Sequence, residues 1–372
     1  MTRSGKESTV DTSPLRDLTV ADGPFASVHF DFSHDTEDAA KVLELRLKEI
    51  EAALSDQRAD QATIEAVLRA VRESEPPAGK AGRSIVAAHG EVLLDRRLIA
   101  PPPAQVVRFS ALPYLLPLAT HTEEAPAYVL VVTDRIGADI TEYAGGEPRT
   151  ETVEGADHPV HKVRGGGPAH HHLQNSAEET ARRNLATVAE HVAKAAQRSG
   201  AGLVVLAGEK QARAALHEIL PESVRRIAHE VEGATRADGS SRAELDRQVH
   251  ELLAGRHLAV LDDLAERFRA GSGREDGLAV SGLEAVTGAL AEANVETLLV
   301  GSPGDTAVFG GPDPAQVAVG KAGLRALGVS EPEPRRADEA LPFAAVATGA
   351  RVVVLDERLD LWEGFGAILR HA

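Results

Sequence analysis

The chain has 372 residues, of which 43% are hydrophobic but only 3% aromatic, with no cysteine and a formal charge of −17. This length exceeds what one core serves, so two or three domains with cores of mostly Ala, Val and Leu are expected. Disulfides, thiolate metal sites and cysteine nucleophiles are excluded, general coating of nucleic acid lacks the basic surface it needs, and no apolar run approaches the ~20 residues of a membrane span.

Residues 1–20 are polar without a signal-peptide hydrophobic region, so a cytoplasmic chain with a disordered start is expected. Phe-Ala-Ser-Val-His-Phe-Asp-Phe, from Phe25 to Phe32, alternates and predicts a strand. Val42, Leu45, Ile50 and Leu54 have helical spacing, and a second helix is predicted from Ala59 to Val71. Beyond Pro76-Pro77-Ala78-Gly79, the apolar runs Ser84 to Ala88 and Glu91 to Leu94 flank His89-Gly90, a hairpin signal. Val106 to Phe109 adds a strand and closes a first α/β block at about residue 122.

Ala127 to Thr133 is too continuously apolar for a one-sided strand and predicts burial on both faces. Ile136 to Tyr143 is its expected partner, followed by a short strand near Glu151 to Val153 and a long helix from Leu173 to Arg198. Leu203 to Gly208 predicts another buried strand, Gln211 to Ile219 a helix, and Arg225 to Val231 an edge strand. Ser241 to Arg269 reads as a helical connector striped by Leu245, Val249, Leu252 and Leu253. A third α/β block then carries a helix from Gly282 to Ala293, a strand from Glu296 to Val300, a helix from Arg335 to Thr348 and a strand from Val352 to Leu355. The expected domains are 1–122, 123–262 and 263–372.

The most informative segment joins the second block's short strand to its long helix. Gly165-Gly166-Gly167 is preceded by Lys162 and Arg164 and followed by Pro168 and by His170, His171 and His172. Glycines without Cβ atoms let a loop approach another surface closely. The following helix offers unpaired N–H groups to an anion. Between Gly155 and Asn175 the only acid is Asp157, whereas five of the chain's fifteen histidines fall there. An acidic protein thus carries one neutral-to-basic protrusion suited to phosphate and 2′-OH groups.

Other chemistries fit less well. A P-loop needs Gly-Lys followed by Ser or Thr, but Gly79-Lys80 and Gly320-Lys321 are both followed by Ala. No G-x-G-x-x-G stands after a buried strand, and no cofactor is expected. His158, His161 and His170 to His172 lack a carboxylate at a clear ligand spacing, so solvated histidines are favoured over a metal site. Arg182-Arg183 and Arg225-Arg226 read as solvated pairs before phosphate contacts, and Trp362 as a packing residue.

Taken in order, the strand pair Tyr128 to Tyr143, the Gly165 to Gly167 loop, the helix from Leu173 and the strand Leu203 to Ala207 resemble the central domain of the archaeal and eukaryotic class-1 peptide-chain release factors and of Pelota. Val295 to Val300 with its helix, and the closing Glu363-Gly364-Phe365-Gly366-Ala367-Ile368-Leu369-Arg370, are similar to their third domain. The resemblance implies an α/β, three-domain release-factor-like architecture with mixed sheets, a central domain carrying the glycine loop and long helix, and a C-terminal ribosomal-protein-like α/β domain.

Two departures shape the functional expectation. The release-factor loop ends in a glutamine that helps position water for peptidyl-tRNA hydrolysis, whereas Gly167 and Pro168 stand here, and Gln174 lies too far into the helix. The stop-codon motif Asn-Ile-Lys-Ser is absent and its cysteine-containing companion impossible. The pattern resembles the bacterial branch of the family, with its Balon-like and actinobacterial ribosome hibernation factors. That resemblance implies a non-enzymatic ligand of the 70S ribosome's A site, touching rRNA through Lys162, Arg164, Gly165 to Gly167 and His170 to His172. It also implies delivery by elongation factor Tu or another translational GTPase, with no role for membrane or DNA. The alternatives are a peptidyl-tRNA hydrolase or rescue enzyme in which a histidine, His170 first, replaces the glutamine, and an adaptor whose acidic C-terminal block recruits proteins.

Overall fold

The computed structural model describes residues 13–34, 38–74, 81–98, 101–124, 127–144, 148–155, 168–232, 242–272 and 277–372. The fold is α/β with mixed sheets. Two compact units form: one holds residues 125–256, the other combines the blocks up to Glu124 and from His257 onward. The flanking blocks of the sequence therefore share one unit.

The first block consists of α1 (Ser13–Asp17), β1 (Phe25–Asp31), α2 (Ala39–Asp56), α3 (Gln61–Arg72), β2 (Gly82–Ala88), β3 (Glu91–Leu98), β4 (Val106–Ser110) and α4 (Leu116–Glu124). Its antiparallel sheet has the order β3-β2-β1-β4. His89 and Gly90, with φ of 50° and 80°, make the expected turn of the β2–β3 hairpin. Thr63 ties that turn to α3, because Gly90 N–H donates to its Oγ1 at 2.9 Å. Two expectations are corrected. Val42 and Leu45 point to solvent, and Leu47 joins Ile50 and Leu54 in the core of α2. Part of the expected disordered start is ordered: α1 forms, and Leu15 and Leu18 are buried.

The alternation of β1 is present, but both of its sides are buried. Ala26, Val28 and Phe30 pack under α2 and α3. Ser27 and His29, on the opposite side, are fully buried because the C-terminal block covers that face. Their polar atoms are satisfied there: Tyr114 N–H donates to Ser27 Oγ at 3.0 Å, and the His29 ring meets Tyr114 O at 3.1 Å and Ser84 Oγ at 2.7 Å.

That covering block contains β10 (Ala279–Ser281), α9 (Leu283–Ala291), β11 (Val295–Val300), β12 (Ala307–Gly310), β13 (Val317–Ala318), α10 (Lys321–Ala326), β14 (Glu333–Arg336), α11 (Ala337–Ala347), β15 (Arg351–Val354) and β16 (Phe365–Leu369). One sheet runs β10-β16-β11-β15, with β11 and β15 parallel, and a small antiparallel sheet runs β13-β12-β14. Leu15, Leu18, Phe25, Val86 and Leu118 of the first block share one core with Leu290, Leu298, Leu341 and Phe365 of the third.

Within this shared core α11 buries two acids, Asp338 and Glu339. Arg108 of β4 reaches across to both, with Nη2 2.9 Å from Asp338 and Nη1 3.1 Å from Glu339, while its guanidinium lies 3.7 Å from the centre of the Tyr114 ring. Arg336 adds a second fork, bonding Asp338 at 3.0 Å and Asp305 at 2.7 Å. Burial pushes Asp338 up, but hydrogen bonds from Arg336 and Arg108 outweigh it and hold the carboxyl below its ordinary value. Glu339 is pushed up, because burial exceeds what Arg108 returns.

The central unit contains β5 (Tyr128–Thr133), β6 (Gly137–Tyr143), β7 (Arg149–Glu154), α5 (Pro168–Ser199), β8 (Leu203–Gly208), α6 (Lys210–Ile219), α7 (Glu222–Arg225), β9 (Ala228–Glu230) and the first part of α8 (Arg242–Ser272). Its sheet order is β7-β6-β5-β8-β9, antiparallel as far as β5 and parallel beyond it. The expected edge strand is shorter than read, because Glu222 to Arg225 coil into α7 first. β5 is buried on both faces: Val129 and Val131 under α5 and α6, Tyr128 and Leu130 against Leu245, Val249 and Leu253 of α8. Farther along α8, Leu261, Leu264 and Phe268 pack in the other unit on Leu299 and Val353. No helix among the described residues is long and apolar enough to cross a membrane.

The opposite shifts of Asp338 and Glu339 give a prediction. The lowered pKa of Asp338 contributes stability that is present above its unfolded value of ~3.9 and lost as pH falls through the folded one. The raised pKa of Glu339 contributes stability that is present below ~4.3 and lost as pH rises through the folded value. Asp338→Asn is therefore expected to cost about 1–3 kcal/mol at pH 7, since it removes the carboxylate shared by two guanidinium groups and leaves Arg108 to Glu339 and Arg336 to Asp305, and the cost shrinks below about pH 4. Glu339→Gln is expected to be neutral or stabilising at pH 7, with the difference vanishing in acid. Denaturant melts of both variants at pH 7 and in mild acid check this, and equal costs at pH 7 contradict it.

Candidate functional site

The segment singled out in the sequence joins β7, at the edge of the central sheet, to α5. Lys162, Arg164, Gly165, Gly166 and Gly167 lie outside the described residues, as do His158 and His161. The backbone of His170, His171 and His172 lies in the first turns of α5. Pro168 opens that helix at the position where its missing N–H costs nothing.

The frame that holds this segment is well defined at both ends. At the strand end, Gly155 N–H donates to Ile136 O at 2.8 Å. A Cβ on Gly155 would stand 2.0 Å from Asn184 Cγ, so the absence of a side chain lets the chain run flush against α5. Asn184 is buried and donates through Nδ2 to Arg135 O at 3.3 Å, which ties the helix to the β5–β6 turn. The exit from β7 is thus pinned to the same residue that locates α5.

At the helix end, Leu185, Val188, Ala189, Val192, Ala195 and Ala196 form the stripe that packs on Val131, Ile140, Val153 and Val204. Ion pairs flank this packed part. Arg198 forks onto the buried Glu142, with Nε 3.1 Å from Oε2, and His191 Nδ1 lies 2.7 Å from Glu151 of β7. Donating to the Glu142 carboxylate holds the Arg198 pKa above its ordinary value. Asn184 is the first buried side chain of α5 among the described residues. About 16 helical residues of α5 precede it, a length of about 24 Å at ~1.5 Å per residue.

The secondary candidates take ordinary places. Arg183 pairs with Glu179 at 2.6 Å and Arg226 with Glu222 at 3.3 Å, both as exposed pairs one helical turn apart. Arg225 Nη1 donates to Glu218 O at 3.4 Å, and Arg182 is exposed. Lys321 lies over the Phe309 ring, 5.4 Å from its centre, and Lys80 lies outside the described residues. Among the described residues no group of three His, Cys, Asp or Glu is placed to hold a metal. Trp362 corrects an expectation: it is 73% exposed rather than packed. Sequence reading also missed the Gly155–Asn184 pin, for which a glycine directly ending an alternating strand is the only local cue.

Comparison with known proteins follows the same outline. The profile of Bacterial archaeo-eukaryotic release factor family 2 matches residues 127–274, a stretch that begins with β5 and ends just past α8. Two Mycobacterium tuberculosis proteins, Uncharacterized protein MT2704 of strain CDC 1551 / Oshkosh and Uncharacterized protein Rv2629 of strain ATCC 25618 / H37Rv, are each 36% identical over 359 residues, covering 96% of this chain and 96% of their own. Among solved structures, Archaeoglobus fulgidus Pelota is 13% identical with a TM-score of 0.36, over 98% of this chain and 93% of that one. The archaeal translation termination factor aRF1 is 15% identical with a TM-score of 0.25, over 96% of each chain. With near-full-length relatives at this identity and the family's profile laid on its central domain, the chain belongs to the bacterial archaeo-eukaryotic release factors, family 2.

Proposed function

We propose that this chain is a ribosome-binding hibernation or protection factor that occupies the A site of the 70S ribosome without reading stop codons and without hydrolysing peptidyl-tRNA. The observation that carries the reading is the sequence at the β7–α5 junction. The chain has a release-factor family's central domain, yet Gly165-Gly166-Gly167-Pro168 stands where release factors carry the glutamine of their loop. The body plan is kept while the hydrolytic group is absent.

Physical chemistry supports the same reading. Three glycines make a thin tip that fits a narrow RNA channel, and Lys162, Arg164 and His170 to His172 supply donors for phosphate and 2′-OH groups. The Gly155–Asn184 pin and the packed part of α5 give that tip a rigid base, so less ordering entropy is lost on binding. The protein acts in the cytoplasm, with rRNA as its principal contact and elongation factor Tu or another translational GTPase as its carrier.

Three outcomes are expected. Replacing Gly165 to Gly167 by alanine together with Arg164→Ala weakens co-sedimentation with vacant 70S ribosomes by about tenfold, or ~1.4 kcal/mol, while the circular dichroism spectrum is unchanged; undiminished binding removes the loop from the mechanism. Gly155→Val drives a side chain into Asn184 and lowers the stability of the central domain by about 1–3 kcal/mol, read as an earlier denaturant midpoint with weaker ribosome binding. Purified protein releases no peptide from ribosome-bound peptidyl-tRNA above background; release that disappears in His170→Ala establishes the enzyme reading instead.

A further inference from the structure

Trp362 is the chain's single tryptophan, and it is 73% exposed. A large apolar side chain left in water is more informative than an exposed Leu, because burying it releases so much area. This one is held in place by its surroundings. Its backbone N–H donates to Ser281 Oγ at 3.0 Å, and its ring leans on Gly282, where a Cβ would stand 2.7 Å from Trp362 Cδ1. Gly282 also has φ of +89°, so no other residue serves that position well.

The next residue bears the strain of this arrangement. Glu363 has φ of 56°, a left-handed conformation that is costly for a residue with a side chain, and Gly364 follows at 77°. Glu363 Oε2 accepts from Leu283 N–H at 2.8 Å and so caps α9. The buried Leu361 anchors the turn from the other side. A strained turn, a capping carboxylate and an obligatory glycine together fix an indole in solvent.

The charge around the indole is one-sided. Asp356, Glu357, Asp360 and Glu363 are all exposed in the segment that leads to and includes the turn, and Glu284 is exposed in the first turn of α9. The segment's one cation, Arg358, is half-buried with Nε 2.8 Å from Asp262. From Gly271 to the end the sequence has fifteen acids against eight Lys and Arg. Such a surface repels phosphates and attracts cationic side chains, and an indole face is the best aromatic partner for a guanidinium or ammonium.

We propose that Trp362, with Glu357 and Asp360 of the exposed acidic segment that leads into its turn, is the anchor of a docking surface for an arginine- and lysine-rich polypeptide segment. The indole supplies the desolvated centre and the carboxylates the rim, the usual division of labour in a protein interface. This surface is independent of the glycine loop and does not rest on its reading.

Because there is one tryptophan, its fluorescence reports on the site directly. The full-length protein is titrated with a labelled peptide of about twelve residues alternating Arg and Ala, followed by Trp362 emission and peptide anisotropy at physiological salt. The expected result is a saturable shift of the emission. Peptide affinity should fall about tenfold in Trp362→Ala and in Glu357→Lys/Asp360→Lys, and by less than about twofold in Glu331→Lys, an exposed acid of the same block. Melting midpoints confirm that the variants fold. The proposal is overturned if peptide binding leaves the emission unchanged, if Glu331→Lys loses as much as the Trp362 site variants, or if a uridine-rich RNA oligonucleotide moves the emission and the peptide does not.

Discussion

The fork of Arg108 onto Asp338 and Glu339 is the contact on which the architecture of the larger unit turns. Both carboxylates are buried, so each would carry a desolvation cost of several kcal/mol without its partner. Arg108 is in turn placed by β4, which pairs with β1, and β1 presents Ser27 and His29 to the same buried layer. The polar face of that sheet is closed by the Tyr114 backbone over Ser27 and His29, and Arg108 beside them carries it to a helix from the other end of the chain. The satisfied polar contacts make that seal specific: an apolar face admits many packings, while a guanidinium forked between two acids and stacked on Tyr114 admits few. The central block is thereby an insertion, in sequence, between two halves of one folded unit.

This explains what the sequence can and cannot tell. The uninterrupted apolar runs of β5 and β8, the His89-Gly90 turn and the striped length of α5 are local patterns, and they were legible because each needs only its own residues to be understood. The union of the first and third blocks rests on Arg108, Asp338 and Glu339, about 230 residues apart, and nothing in their local context distinguishes them from solvated charges. In α2 the exposed Leu45 and the buried Leu47 are equally apolar, so periodicity alone chose the wrong face. The short strands β12, β13 and β14 have too few residues to show a period at all.

The candidate site divides in the same way. Its candidate residues stand out as composition, because three glycines among cations and histidines are conspicuous in an acidic chain. Its support does not, because the pin between Gly155 and Asn184 joins residues from a strand end and a helix interior whose meeting depends on the β7–α5 geometry. Trp362 was misread for a further reason. Lone tryptophans are usually packed, and only the backbone strain at Glu363 and the missing side chain at Gly282 hold this one out.

The proposed function asks a protein with a formal charge of −17 to approach a polyanion. Electrostatic repulsion between two negative bodies decays over the Debye length, ~8 Å at physiological salt. From Gly155 to Asn175, across the glycines and into the first turns of α5, the sequence holds one acid, Asp157. Screening over the Debye length lets the charges nearest a contact decide its sign, and those from Gly155 to Asn175 are neutral to basic. Under the two proposals above, the acidic C-terminal block serves a cationic partner and the neutral-to-basic segment an anionic one. Segregation of charge along the sequence, rather than net charge, is what lets the two proposals hold for one chain.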